Sequence, residues 1–509
     1  MDSHTVENNT EFRNSLTHRV ARGGIIVVFF AILAASTGYL TRMLYSRSLS
    51  IEMFGLFYSI LSLMIPLSIF TDLGFGYNLT YLLPKFIKNN EKQKVWNTYK
   101  YNQIISLLVS VTLSIILFFL SSFLANYYFK EIIAQRVIKI LSLFLIVESF
   151  NFSIEKLFIG MQQEEYYASM RVVKLFFTLV FSFIFFSFGK GTIVFYSVSW
   201  LAAHLSTSLI YRIVLQIKNK NIFTKTTWDK KLFLTMFKYA LPTLFISSFN
   251  LISIPIDSLF LIFFKGLGSA GIYNIIIPLA IISPIFLSPI NVFLLPLISR
   301  LEDEPEKLKQ LMDAMLKITS FIAIYFGLFL FLFPNQIVQT MFGSKWMEIA
   351  KLPLMASSIG YILLPTSSLL ETFASGLGIV RKKAKLVGIL TFLKAISSSI
   401  LIYYLGIIGA IAANLILFSL NIIFTKKYLK KKISFNYPIL FYLKIFIFSL
   451  TIILLTFLFK ISPDGIFQIS LVGSIYTCLY LIFGIIAGVI DRKSVMLLSN
   501  NKKNIRWFR

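Results

Sequence analysis

The sequence predicts an all-α polytopic membrane protein of about fourteen transmembrane helices. They are expected to form two pseudo-symmetric six-helix lobes plus two C-terminal helices. Three observations predict this. Hydrophobic residues make up 57% of the 509-residue chain and charged residues 14%, where a soluble domain carries roughly a quarter; the mean hydropathy is +0.78. The apolar residues fall into fourteen runs, each near the length of about 20 residues that crosses a bilayer as a helix. The polar segments between runs alternate between strongly and weakly basic.

The elements follow in order. Residues 1–22 are polar and lack a short apolar core followed by a small-residue cleavage site, so they read as a cytoplasmic N-terminal tail rather than a signal peptide. An N-lobe over 23–215 holds the runs 23–46, 53–83, 98–126, 136–160, 168–188 and 192–215. The run 53–83 is long and carries Pro66 and Asp72-Leu73-Gly74; it reads as one tilted or kinked helix. A basic linker, 216–237, leads to a C-lobe over 238–425 with the runs 238–264, 270–298, 313–333, 352–376, 385–404 and 407–425. Two further spans, 438–460 and 466–490, fill residues 426–490, and a second basic tail covers 491–509.

Loop charge orients the chain. One set of loops holds Lys85, Lys88, Lys92 and Lys94, then Lys218 to Lys231, Arg300, Lys307 and Lys309, Arg381 to Lys385, and Lys426 to Lys432. The other set holds few basic residues, among them Arg47, Lys130, Lys190, Lys265 and Lys345. Lys and Arg mark the cytoplasmic side, so both termini are expected in the cytoplasm of a multi-pass cell membrane protein. The net charge of +27 therefore reads as topology signal and contact with anionic lipid heads, not as a nucleic-acid surface. Cys478 is alone, which excludes an intrachain disulfide, and three His with no ligand spacing predict no metal site. No loop is long enough to hide a soluble catalytic domain, so no catalytic residues are expected.

The two lobes repeat a pattern. The first run leads into Arg47-Ser48-Leu49-Ser50-Ile51-Glu52-Met53-Phe54-Gly55-Leu56-Phe57, and the seventh into Lys265-Gly266-Leu267-Gly268-Ser269-Ala270-Gly271-Ile272-Tyr273. Gly189-Lys190-Gly191 and Gly406-Ile407-Ile408-Gly409 make equivalent short turns. Six spans per lobe give the halves the same orientation. Gly266-x-Gly268-x-x-Gly271 matches a dinucleotide fingerprint by letter, but no strand precedes it; it reads as a tight turn.

The stretch SRSLSIEMFGLFYSILSLMIPLSIFTDLGFGYNLTYLLPKF resembles the start of the polysaccharide-biosynthesis transporters. YALPTLFISSFNLISIPIDSLFL followed by GSAGIYNIIIPL resembles their seventh and eighth helices, and LGIIGAIAANLI their twelfth. That family lies in the multidrug, oligosaccharidyl-lipid and polysaccharide exporter superfamily. The resemblance implies a flippase for polyprenyl-linked oligosaccharide, working by alternating access. A cation-coupled multidrug exporter of the same superfamily is the alternative, and the two extra C-terminal helices argue against it. Membrane lipid and lipid-linked saccharide are the implied partners, with polysaccharide assembly proteins as further candidates. A monomer is expected, with no cofactor beyond a coupling cation, H+ or Na+.

Ionisable residues at membrane depth are costly and usually face a cavity or a partner. Arg42, Lys174 and Lys394 are candidates to meet a substrate diphosphate; Arg171 and Lys174 are expected at the inner mouth of the fifth span. Asp72, Glu148 and Asp257 are candidates for a coupling ion or a gate. Asp72 has a second reading as a cap on a helix break, and Asp257 as a residue reaching for the outer surface. Glu148 shares a helical face with Asn151 and Glu155. Lys394 lies on a polar stripe with Thr391 and Ser398, and is expected to attract the diphosphate or to pair with a carboxylate such as Glu148. His204 reads as a packed, hydrogen-bonded residue, and Glu371 as a wet one near the inner face.

Overall fold

The computed structural model describes residues 3–489, apart from 223, 254, 431, 434–438, 460–462 and 464; the basic tail 491–509 lies outside them. The described residues form helices and no strand. Thirteen helical stretches among them are long and apolar enough to cross a membrane. The chain divides into two compact units, residues 1–271 and 272–509.

The first unit contains α1 (Ser3–Ser48), α2 (Ile51–Phe70), α3 (Gly76–Lys88), α4 (Lys92–Phe123), α5 (Ile133–Gly160), α6 (Glu164–Ser187), α7 (Ile193–Lys218), α8 (Lys230–Ser253) and α9 (Ile256–Lys265). The backbone of the expected N-terminal tail continues the helix of the first span. The seventh expected crossing, 238–264, is divided between α8 and α9. Pro255 stands at that division and Asp257 in the first turn of α9; a proline has no N–H to continue the helix before it.

The run 53–83 is not one helix. It breaks at Thr71–Phe75, because Leu73 (φ 48°) and Gly74 (φ 80°) are both left-handed, a conformation that ends helices. Pro66 sits inside α2, away from the break. Both pieces pack on α5, and α4 continues through a π-helical turn into a 38-residue arm, Lys92–Phe129. The α4–α5 seam is lined with small buried polar groups: Asn102 donates to Ser153 (3.0 Å) and Ser110 to Ser149 (3.3 Å). Such residues let helices approach closely in lipid.

Glycine sets the closest approach. A Cβ on Gly55 would lie 2.1 Å from the Leu267 carbonyl oxygen, and one on Gly271 2.5 Å from that of Ile51. The Gly266–Gly271 motif is thus a turn (Gly266 φ 83°) packed on α2. At the basic-loop end, the segment between α7 and α8 is fastened to α4. Gln93 donates to the Lys225 carbonyl (2.5 Å), and Asn97 exchanges two hydrogen bonds with Thr227 (3.1 and 3.2 Å). The Tyr101 hydroxyl donates to the Thr227 carbonyl and accepts from the Asp229 N–H, both at 2.6 Å. Asp229 then caps α8 through Leu232 N–H (2.9 Å).

The second unit takes up the chain within α10 (Leu267–Ala280) and continues through α11 (Ile282–Arg300), α12 (Pro305–Leu332), α13 (Pro334–Phe342), α14 (Met347–Gly360), α15 (Leu363–Gly376), α16 (Val380–Leu405), α17 (Ile407–Leu429), α18 (Ile439–Leu458) and α19 (Gly465–Ile486). The eighth span is broken between α10 and α11, as the second is between α2 and α3. Interruptions at corresponding positions are a mark of repeat-built transporters. The α16–α17 turn is close: a Cβ on Gly409 would lie 2.0 Å from the Leu401 carbonyl oxygen. The last helix attaches to α12 through hydroxyls, and α18 attaches to the last helix through rings. Tyr476 and Tyr480 donate to the carbonyls of Tyr325 and Phe321 (2.9 Å each), and Phe448 stacks on Phe483 at 3.9 Å.

Candidate functional site

Helix α5 carries Glu148 and Asn151 one turn apart, so both reach the same neighbours. The next helix, α6, turns back at Met161–Gln163 and runs antiparallel beside it. Lys174 is ten residues into α6, about 15 Å from its start by helix rise. The ion pair puts it level with Glu148. The two side chains pair at 3.0 Å, with exposures of 12% and 15%. Helix α7 supplies the third member: His204 Nδ1 stands 2.7 Å from the other Glu148 oxygen. Asn151 Nδ2 donates to that same oxygen and to the His204 carbonyl, both at 3.1 Å.

Aromatic rings close the cluster. Trp200 stacks on the His204 ring at 5.2 Å, and Phe144 meets it edge-on at 4.8 Å. The carboxylate thus has all its near partners as N–H donors, and an ion pair placed this way carries no net charge. A lone buried charge would be far costlier.

The other predicted residues have separate surroundings. Asp72 is 2% exposed in the α2–α3 break, where both carboxylate oxygens accept the Gly76 N–H at 2.8 Å; Ser106 adds a longer bond at 3.4 Å. That is the geometry of a helix cap. Asp257 is 1% exposed in the first turn of α9, so it is buried and does not reach for a surface. Arg42 is half-buried on α1, with its guanidinium 3.9 Å from the centre of the Tyr58 ring.

In the second unit, Lys394 is 5% exposed, with Thr391 at 7% and Ser398 at 0%. The expected stripe exists and is buried. The expected pairing of Glu148 with Lys394 is not what Glu148 does; Lys174, His204 and Asn151 take both its oxygens.

One cluster went unread in the sequence. Glu371 on α15 accepts from Asn421 on α17 at 2.5 Å and pairs with Lys383 on α16 at 3.3 Å. Asn421 also donates to Ser367 (2.7 Å) and accepts from Thr425 (3.1 Å). The carboxylate is half-buried and partnered rather than simply wet. These are the tenth, eleventh and twelfth spans, the counterparts of the fourth, fifth and sixth that carry Glu148, Lys174 and His204. Asn421, an amide buried on an apolar helix, was the available signal. Among the described residues no group of His, Cys, Asp and Glu is arranged to hold a metal ion.

The long apolar helices and the broken crossings define a multi-pass membrane protein fold, and solved structures share it. The lipid II flippase MurJ in an inward closed conformation superposes with a TM-score of 0.72 at 16% identity, over 91% of this chain and 98% of that one. An inward-facing MATE family multidrug resistance transporter of the MOP superfamily gives 0.67 at 16% identity, over 80% and 98%. A MOP superfamily transporter from Pyrococcus furiosus gives 0.59 at 17%, over 81% and 96%. An uncharacterized membrane protein of Methanocaldococcus jannaschii is 23% identical over 473 residues, 89% of this chain and 93% of that protein. The model of the polysaccharide biosynthesis protein family matches residues 20–302, and the chain belongs to that family.

Proposed function

We propose that the chain is a flippase that carries polyprenyl-(di)phosphate-linked oligosaccharide across the cytoplasmic membrane by alternating access, for synthesis of surface polysaccharide. The observation that carries this reading is the family match, read with the extent of the fold likeness. The likeness to the lipid II flippase runs over 91% of the chain and that to the MATE transporter over 80%, which favours a lipid-linked substrate over a free drug.

Such a substrate asks for cations at its diphosphate, polar groups along its sugars and a lipid-facing opening for its tail. Arg42 is the cation assigned to the diphosphate in the first unit, where Lys174 joins it when its pairing with Glu148 loosens; Lys394 is the candidate cation of the second unit taken by itself. Glu148 belongs to the coupling machinery, which takes H+ or Na+, with Asp257 as a second carboxylate; Asp72 holds the second span's break. Both termini lie in the cytoplasm on this reading, and the membrane is the cell membrane.

Deleting the gene tests it. Lipid-linked saccharide should then be built but remain on the cytoplasmic face, and surface glycan should fall while nucleotide-sugar enzymes stay active. Normal surface glycan in a strain without a paralogous flippase would sink the reading.

A further inference from the structure

His204 has no part in the function proposed above, yet it is the member of the Glu148 cluster best built to exchange a proton. Its Nδ1 stands 2.7 Å from a carboxylate oxygen. Against an ionised carboxylate that nitrogen is the donor, which leaves Nε2 as the acceptor of the neutral ring. We propose that His204 is a proton-binding site, protonated at Nε2, and that the cluster it forms with Glu148 and Lys174 takes a proton and rejects alkali cations. Its place in a transport cycle rests on the transporter reading; the binding itself does not.

The donor set decides between the two ions. A hard cation takes a shell of oxygen ligands. Here the groups directed at Glu148 are an ammonium, an imidazole N–H and an amide N–H. Sodium at that carboxylate would have to displace an ammonium at 3.0 Å and would find hydrogens where it needs oxygens. Asn151 Oδ1, buried and without a hydrogen-bond partner, offers a single ligand.

A proton displaces none of these groups, though burial and the Lys174 ammonium oppose its charge. It joins a ring that already faces an anion and lies on the face of Trp200, and an aromatic face stabilises a cation. The charged groups around the ring are few. From α5 it faces Glu148 and from α6 Lys174; Lys174 in turn has Glu155 and Arg171 near it. From α2 the neighbour is Phe57, against Trp200 at 6.4 Å.

Proton uptake from water changes the cluster of three from neutral to a net charge of +1, with no other bond made or broken. A net charge is costly in a dry interior, so the protonated cluster favours a conformation in which water reaches it. The counterpart in the second unit, Glu371–Lys383–Asn421, has an amide where the imidazole stands and does not share this property.

Trp200 supplies a readout in the purified full-length protein, because a protonated imidazole in ring contact quenches indole emission. Acidifying the parent should reversibly remove part of the emission, at most about the share of one Trp in the five of the chain. That component should be missing from Trp200→Phe and from His204→Gln. Glu148→Gln, which keeps both rings, should displace its midpoint. Replacing choline chloride by sodium chloride at fixed pH should change nothing. A parent with no component that depends on Trp200 overturns the proposal even if His204→Gln fails to fold, and so does a midpoint that sodium moves. Glycan transport is not measured here, so an intact titration beside normal glycan export in a deletion strain would refute the flippase reading and leave this one standing.

Discussion

Glu148 on α5 and Lys174 on α6 face each other at 3.0 Å inside one unit, twenty-six residues apart in sequence. Neither is a lone charge. Each explains how the other is tolerated at membrane depth, and the pair makes a stability prediction that its members taken singly do not.

Removing one partner leaves the other buried and uncompensated, at a cost of about 3–5 kcal/mol. Lys174→Met and Glu148→Gln should each lower the unfolding temperature of the purified protein. The double variant should recover a large part of the loss, since both charges are then gone. A double variant that loses the sum of the two singles would show that the residues act independently.

Asp72 should behave as a cap. Asp72→Ala removes the acceptor for the Gly76 N–H and should cost about 1–2 kcal/mol, while Asp72→Asn keeps an acceptor and should lose less. Thermal unfolding measures both. Wild-type stability with abolished transport in Asp72→Asn would assign the residue to ion coupling instead.

Gly55→Ala should sharply reduce the yield of folded protein, because its new methyl would meet the Leu267 carbonyl at 2.1 Å and backbone cannot swing aside as a side chain can. Gly38→Ala is the control: its methyl meets only the Leu175 side chain, at 3.8 Å. Size-exclusion profiles of the two variants check the contrast.

For Lys394, burial and the Thr391–Ser398 stripe favour a role in transport. Lys394→Ala should lower export of surface glycan at normal expression, and Lys394→Arg should keep part of it. Two variants that export like the parent would reduce the residue to a structural lysine.

Topology has its own test. Reporters fused after residues 95, 225, 384 and 432 should read cytoplasmic, and after 266 and 345 external. A consistent external reading at 432 would break the orientation inferred from loop charge.

The fold class was legible because hydropathy and loop charge act over whole segments and do not depend on register. The break in the second span was harder to read. Its Asp-Leu-Gly was visible, but Leu73 in a left-handed conformation is unusual for a branched residue, and Pro66 drew attention to the wrong place. Glu148 and Asn151 were placed on one face by helical periodicity alone. Their partners were not, because the register of α5 against α6 is set by the turn at Met161–Gln163, where Gln162 has a positive φ. His204 read as a packed, hydrogen-bonded residue and is one, but its partner was not legible, because a single imidazole in an apolar helix shows no pattern until a second helix brings its carboxylate.

The fastening of residues 225–229 to α4 bears on how the chain is made. Asn97 and Tyr101 are 2% and 4% exposed, and their polar atoms are matched by a segment synthesised more than a hundred residues later. A nascent chain that has inserted only its first six spans still lacks those matches, along with the α8 and α9 surfaces that cover α2, α3 and α4. Domains generally mature as units during synthesis. A chain that ends in the basic linker before Thr227 therefore leaves the buried polar atoms of Asn97 and Tyr101 without those partners.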